Sequence, residues 1–315
     1  MCRIKYNKTI EEMNIENIYH TLNQILQDNQ LDNSKLKQQI VSLTSNIRTS
    51  LNSENSKTIS IKPSNLIGVK KGLLVGINYV GTEYELNGCI NDVNDMSQVL
   101  QSRYGFNSSN IELMTDNTSN KPTKINIING ITNLLKNSIA GDTLVIAYSG
   151  HGTNVRDTSG DEWDGYDELI VPLDMNLISD DEINSIIRAN LKSNVNVFTF
   201  FDCCFSESIL DLRYQYLDTM KNRKTIMNSN YSELAGNLVC ISGCQDNQTS
   251  ADAYINGRFN GALTWAFIQS IKSIIRPNWL DLLNNMKTLL NVNRYTQIPQ
   301  MSSGKLLGGA SKLFL

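Results

Sequence analysis

Residues 143–152 read TLVIAYSGHG, a run that looks like a strand followed at once by glycine, histidine and glycine. Successive side chains of a strand point to opposite faces, and this run is apolar on both, as in a strand covered on each side. Three more stretches share that character: Gly72–Asn78 (GLLVGIN), Val195–Asp202 (VNVFTFFD) and Asn237–Gly243 (NLVCISG). Between them, 90–104, 122–138 and 181–192 carry apolar residues at helical spacing, and 260–274 and 278–292 continue the series. Pro122 suits the first turn of its helix, where its missing N–H costs nothing. Strands buried on both faces and alternating with helices predict an α/β domain. Its central sheet is mostly parallel, with helices on both faces.

In such a sheet, reactive groups collect where loops leave the carboxyl ends of the strands. TLVIAYS delivers Gly150-His151-Gly152 to that edge, and VNVFTFFD delivers Cys203-Cys204 to the same edge. A thiolate attacks an amide carbonyl far better than a thiol does, so a nucleophilic cysteine needs a base or a cation beside it. His151 is the only histidine in this part of the chain, the other being His20. Gly152 leaves its backbone N–H unobstructed, and with the Cys204 N–H it makes a candidate oxyanion hole. Loss of one such donor typically costs about 3 kcal/mol of transition-state stabilisation. Taken singly, the histidine also reads as a hydrogen-bonded structural residue and the cysteine as a small buried hydrophobe.

Composition narrows the class. The chain has 315 residues, 40% hydrophobic and 19% charged, with a net charge of −3. Mild acidity argues against a nucleic-acid partner, which normally leaves a basic excess. No apolar run approaches the roughly 20 residues that span a bilayer, so no membrane segment is expected. The N-terminal MCRIKYNKTIEEMN lacks the apolar core of a secretory signal. Cysteines at 2, 89, 203, 204, 240 and 244 lack the spacing of a disulfide framework, and two histidines leave little room for zinc. These features predict a reduced, cytoplasmic setting.

Residues 1–65 read as a separate helical segment and linker. Ile15, Ile18, Leu22 and Ile25 recur at helical spacing, as do Leu36, Ile40, Leu43, Ile47 and Leu51. Asp32-Asn33-Ser34 offers a turn and an N-cap between the two helices. Packing on the main domain, self-association and a regulatory pro-segment all remain open for this hairpin. Residues 66–315 form the main domain, with parts at 66–212 and 236–315 joined by a connecting segment at 213–235.

Five blocks of that domain carry a family resemblance: GLLVGINYVGTEYELNGCINDVNDM (72–96), YSGHG (148–152), YDELIVPLD (166–174), DCCFSESILDL (202–212) and SGCQDNQTSADA (242–253). In this order they resemble the metacaspases, over about residues 70–315 and closer to the type I than the type II architecture. The His–Cys separation of 204 − 151 = 53 residues is also near the roughly 50 of caspases. The resemblance implies the caspase–haemoglobinase fold, a His151/Cys204 dyad, cleavage after Arg or Lys, a calcium requirement and a monomer. The family pattern Asp-x-Cys-His-Ser-Gly makes Cys204 the nucleophile and Cys203 its neighbour. Phe205 stands where the pattern has His, and Glu207 where it has Gly.

The resemblance also carries Asp92, Ser149, Asp202 and Asp246 to the pocket for the residue before the scissile bond (P1). Clustered carboxylates attract a cation, and a guanidinium bonds one through two parallel donors; a substrate Asp would meet like charge there. Each aspartate also has an ordinary reading as a helix cap or a solvated loop residue. Asp167, Asp180, Asp181 and Asp211 match the positions where metacaspases hold calcium, a hard cation that wants six to eight oxygen ligands. Asp180-Asp181 alternatively only favour the start of the helix that follows. The segment 213–235 is polar and carries Arg213, Lys221, Arg223 and Lys224. As a mobile basic loop it is a candidate self-cleavage site, and as an ordered solvated connection it is only a link between the two parts. The competing function is a catalytically weak scaffold or quality-control protein, to which Phe205 and Glu207 point; a caspase with Asp specificity fits the acidic pocket poorly.

Overall fold

A computed structural model describes residues 68–156, 165–204, 209–219, 222–243, 252–255, 257–274, 277–308 and 311–315. The two expected N-terminal helices, Phe205, Glu207 and Asp246 lie outside them. The first half runs β1 (Lys70–Gly76), α1 (Cys89–Tyr104), β2 (Ile111–Thr115), α2 (Lys124–Lys136) and β3 (Thr143–Ser149). Next come β4 (Gly152–Arg156), β5 (Tyr166–Ile170), β6 (Ile178–Ser179), α3 (Asp180–Asn190) and β7 (Asn196–Asp202). The second half runs β8 (Tyr214–Thr219), β9 (Asn222–Met227), β10 (Asn237–Ser242), β11 (Asp252–Ile255) and β12 (Arg258–Gly261). It closes with α4 (Ala262–Ser273), α5 (Trp279–Val292) and β13 (Gln300–Ser303).

Eight strands form the central sheet in the order β2-β1-β3-β7-β10-β13-β8-β9. The first five are parallel, and β13, β8 and β9 then alternate antiparallel. The apolar runs of the sequence account for its centre. Along β7, Phe198 and Phe200 pack on one face with Phe267 of α4 and Trp279 of α5, together with Val93 and Met96 of α1. Val197 and Phe201 pack on the other with Ile127 and Ile131 of α2 and Ile183 and Ile187 of α3. Helices therefore cover both faces. None of the described helices is long and apolar enough to cross a membrane.

Phe198 is fully buried, its ring 5.5 Å from that of Phe267 and 5.4 Å from that of Trp279. Removing a ring so enclosed costs its transfer free energy and leaves a cavity that the sheet cannot collapse. Phe198→Ala is expected to lose about 3–5 kcal/mol in urea unfolding. A loss under about 1 kcal/mol would mean that the aromatic cluster is not where the sheet is anchored.

Two local expectations change. Pro122 lies outside its helix: α2 starts at Lys124 with Thr123 as N-cap. The Pro122 carbonyl instead accepts the Leu173 N–H at 2.9 Å, which ties it to the loop after β5. The connecting segment is a strand pair rather than an open loop, with β8 and β9 matched from Tyr214↔Met227 to Thr219↔Asn222. Tyr214 and Tyr216 are buried along β8, and the Tyr216 hydroxyl lies 2.8 Å from Ser303 Oγ on β13. That anchoring docks the hairpin on the sheet.

Candidate active site

Strands β3 and β7 run parallel with Ser149 opposite Asp202. His151 and Cys204 each lie two residues beyond that pair, so they leave the sheet side by side. The loops touch at Gly152, where an added Cβ would stand 2.1 Å from the Cys204 carbonyl oxygen. No side chain fits there, so glycine is required for the close approach. Cys203 is fully buried, in the same apolar cluster as Tyr79 and Tyr148, whereas Cys204 is partly exposed. The edge is also a topological switch point, because β1 pairs with β2 on one side and with β3 on the other.

The imidazole of His151 is oriented by its surroundings. Its Nε2 lies 2.8 Å from the Tyr84 carbonyl oxygen, which can only accept. Nε2 therefore carries the hydrogen, and Nδ1 of the neutral ring keeps its lone pair. The ring also rests on Tyr79, with centroids 4.8 Å apart, and meets the edge of Tyr84 at 6.4 Å.

Asp92 of α1, Ser149 of β3 and Asp202 of β7 converge around Gly261, at the end of β12. A Cβ on Gly261 would stand 2.2 Å from Asp202 Oδ2 and 2.8 Å from Asp92 Oδ2. Asp92 accepts the Ser149 hydroxyl at 2.8 Å and the Gly261 N–H at 2.9 Å. Burial pushes its carboxyl well above the usual range, and the nearby Asp202 adds to the rise. Asp202 accepts both the Thr264 N–H (2.9 Å) and the Thr264 hydroxyl (2.8 Å). Thr264 lies in the first turn of α4, whose N-cap Gly261 has no side chain to offer. Asp202 thus caps a helix, the ordinary reading of such an aspartate, while also facing Asp92.

Three of the four aspartates matched to calcium come together. One carboxylate oxygen from each of Asp180, Asp181 and Asp211 lies within 4.8 Å of the others. Asp180 is buried at the start of α3, where Ser179 and Glu182 form a capping box. It accepts the Glu168 N–H at 2.8 Å and the Asp181 N–H at 2.7 Å. The helix-start reading of Asp180-Asp181 is therefore present as well. Asp211 is held in the left-handed region at φ 46°, and Asn184 of α3 donates to the Leu210 and Asp211 carbonyls at 2.5 and 3.3 Å. Asp167 lies within β5, opposite Val155, and is not in the three-carboxylate group.

Residues 70–213 match the family described as "Metacaspase, peptidase C14 domain". A Metacaspase-1 of Meyerozyma guilliermondii is 37% identical over an alignment 292 positions long, gaps included, that covers 76% of this chain and 70% of that protein. This chain belongs to the metacaspase family. A Metacaspase-1 of Schizosaccharomyces pombe is 34% identical over 286 residues, 75% of this chain and 67% of that one. A solved structure from Geobacter sulfurreducens matches the fold with a TM-score of 0.55 at 24% identity, covering 77% of this chain and 96% of that one. The metacaspase is therefore a caspase-like cysteine peptidase, and its sheet is the caspase–haemoglobinase sheet expected from the sequence.

Sequence reading of this metacaspase missed Tyr79, Tyr84, Tyr148, Asn260, Gly261 and Thr264. All six touch residues singled out from the sequence. The Tyr in GINY and the Tyr in YSGHG were the available signals, since both flank the glycines of the quoted blocks.

Proposed function

We propose that this metacaspase is an endopeptidase that cleaves after Arg or Lys, with Cys204 as nucleophile, His151 as base and calcium as activator. The observation that supports the dyad is the β3–β7 register, which brings the strand ends that lead to the two residues to one edge of the sheet. His151 Nδ1 takes the Cys204 thiol proton, and the sulfur attacks the scissile carbonyl carbon. The N–H groups of Gly152 and Cys204 serve as donors to the resulting oxyanion. The Val171 N–H already bonds the His151 carbonyl, so strand alternation turns the Gly152 N–H away from β5. The imidazolium then protonates the leaving amine, and water hydrolyses the thioester. Burial of Cys203 supports Cys204 as the attacking thiol.

Asp92 and Asp202 support the choice of a basic P1 residue, because two carboxylates flanking one glycine repel an acidic guest and attract a guanidinium or ammonium. Matched fluorogenic peptides ending in Arg, Lys or Asp at P1 test this. Hydrolysis of the Arg and Lys peptides should exceed that of the Asp peptide by about 100-fold or more, the ratio that roughly 3 kcal/mol of discrimination gives. Preference for Asp would sink the specificity.

The donor set at Asp180, Asp181 and Asp211 fits calcium: all hard oxygen and clustered within 4.8 Å. Bound there, the ion supplies positive charge that offsets the mutual repulsion of the carboxylates. The chain's own part is to tie the Leu210 and Asp211 carbonyls to α3 through Asn184. Chelator is expected to lower P1-Arg hydrolysis at least tenfold, with recovery at millimolar calcium. Equal rates in both conditions would end this part of the proposal.

The same specificity makes Arg213, Lys221, Arg223 and Lys224 candidate sites of self-cleavage. Bonds paired in the β8–β9 ladder must first unzip, so such cleavage would proceed through local opening of the edge strand β9.

A further inference from the structure

Where β4 begins, one rung of the β4–β5 ladder is built from side chains. Two facing residues in a hydrogen-bonded antiparallel pair normally exchange both of their N–H···O=C bonds. At His151 and Val171 only one is made, from the Val171 N–H to the His151 carbonyl at 3.1 Å. The hydroxyl of Tyr79 stands in for the other: it accepts the His151 N–H at 2.9 Å and donates to the Val171 carbonyl at 2.6 Å. The hydroxyl of Tyr148 lies 3.1 Å away, accepts from the Val171 N–H at 3.2 Å, and stands 2.7 Å from the His151 carbonyl and 3.0 Å from the Val171 carbonyl as donor. Tyr79 thus accepts once and donates once, and the single proton of Tyr148 is directed between the two carbonyls of the rung, nearer that of His151.

The surroundings are shaped for this pair. Gly150 cannot be another residue, since a Cβ there would meet Tyr148 Oη at 2.6 Å and Tyr79 Oη at 2.9 Å. Tyr79 is fully buried and takes the left-handed conformation at φ 53°, a strained choice for an aromatic residue, secured where its carbonyl accepts from the Thr82 N–H and hydroxyl. Burial pushes both tyrosine hydroxyls well above their usual range, so they remain proton donors at any assay pH. The Tyr79 ring also packs against the imidazole, with centroids 4.8 Å apart and planes tilted by 40°.

We infer that Tyr79 and Tyr148 are positioning residues for His151: their paired hydroxyls replace a backbone rung and fix where the imidazole stands beside Cys204. The inference rests on the dyad reading of His151 and Cys204. It predicts effects on turnover and on thiol activation rather than on substrate affinity, because both hydroxyls bond the backbone of the His151–Val171 rung.

The test is Tyr79→Phe and Tyr148→Phe in the full chain, each measured beside His151→Ala. Two readouts are taken: kcat and KM on a P1-Arg peptide, and the pH dependence of Cys204 alkylation by iodoacetamide, followed by mass spectrometry. Tyr79→Phe is expected to lower kcat at least tenfold with KM within about twofold of wild type. Its alkylation profile should move toward that of His151→Ala. Tyr148→Phe should change both readouts in the same direction. Thermal unfolding identifies any variant that has not folded; were Tyr79→Phe such a case, Tyr148→Phe would decide on the same readouts. Wild-type kcat and alkylation in a folded tyrosine variant, with His151→Ala impaired, would overturn the inference alone. A wild-type result for His151→Ala itself would overturn the dyad reading and the inference with it.

Discussion

Cys204→Ala is expected to abolish P1-Arg hydrolysis, while Cys203→Ala retains it within a few-fold. Removal of a nucleophile that works with a base costs about a million-fold in kcat where it has been dissected, leaving only the contribution of binding and oxyanion donors. For a peptidase of ordinary turnover that falls below detection. The two adjacent cysteines make a matched control, because one amino-acid shift reverses exposure. Cys203 is fully buried against the apolar cluster around Tyr79 and Tyr148, and Cys204 is partly exposed beside Gly152. Cys203→Ala removes one sulfur from a packed site and should show chiefly as a small loss of stability. The reverse result, activity surviving at 204 and lost at 203, would assign the chemistry to the wrong side of the strand end. Wild-type protein that is folded and loaded with calcium yet inactive would favour the scaffold reading. Reversion of Phe205 and Glu207 to the family pattern is then the experiment that follows.

The readable parts of this fold are those where burial leaves a composition signal. Strands β3, β7 and β10 are covered on both faces, so nearly every position is buried, most are apolar, and each was legible almost residue for residue. Strand β13 (QMSS) pairs with β10 but offers only Met301 to the core, so its sequence resembles a loop. The β8–β9 pair leaves no strand signal in a polar segment that reads equally as a mobile loop or an ordered connection. Its inward anchors are two tyrosines at alternate positions, too short a pattern to stand out. The site divides in the same way. His151 and Cys204 were legible as neighbours because each closes a readable strand. The partners that orient them were not, since Tyr79 meets Val171 across 92 positions and Asp92 meets Gly261 across 169. Local pattern carries no trace of such meetings; only the closure of the sheet creates them.

Asp92→Asn is expected to raise the stability of the substrate-free protein while lowering kcat/KM for P1-Arg peptides by about 100-fold. Asp92 is 2% exposed and faces Asp202, and burial raises its carboxyl well above the usual range. A raised carboxyl means that the folded state holds its proton more tightly than the unfolded chain does. That contribution is fully present below about pH 4, the ordinary carboxylate value, and is lost as pH climbs through the folded one. An asparagine makes no such demand. Its Oδ1 can keep the Gly261 N–H, and the Ser149 hydroxyl can turn from donor to acceptor to meet the new amide. The gain over wild type should therefore widen as pH rises from about 4 to neutral. Relief of about 1 kcal/mol would raise the thermal midpoint by roughly 2–4 °C in a domain of this size. The loss of activity follows from the same charge. A guanidinium entering beside Gly261 would find one carboxylate instead of two, and removal of one partner of a buried charge pair costs about 2–5 kcal/mol. A folding site would not retain a charge that burial and Asp202 both oppose, so opposite signs on stability and activity would mark Asp92 as held for substrate. Lower stability with unchanged P1-Arg hydrolysis would reverse that conclusion. The bonds from Ser149 and Gly261 would then be the reason for the aspartate, and recognition of the basic residue would fall to Asp202 and Asp246.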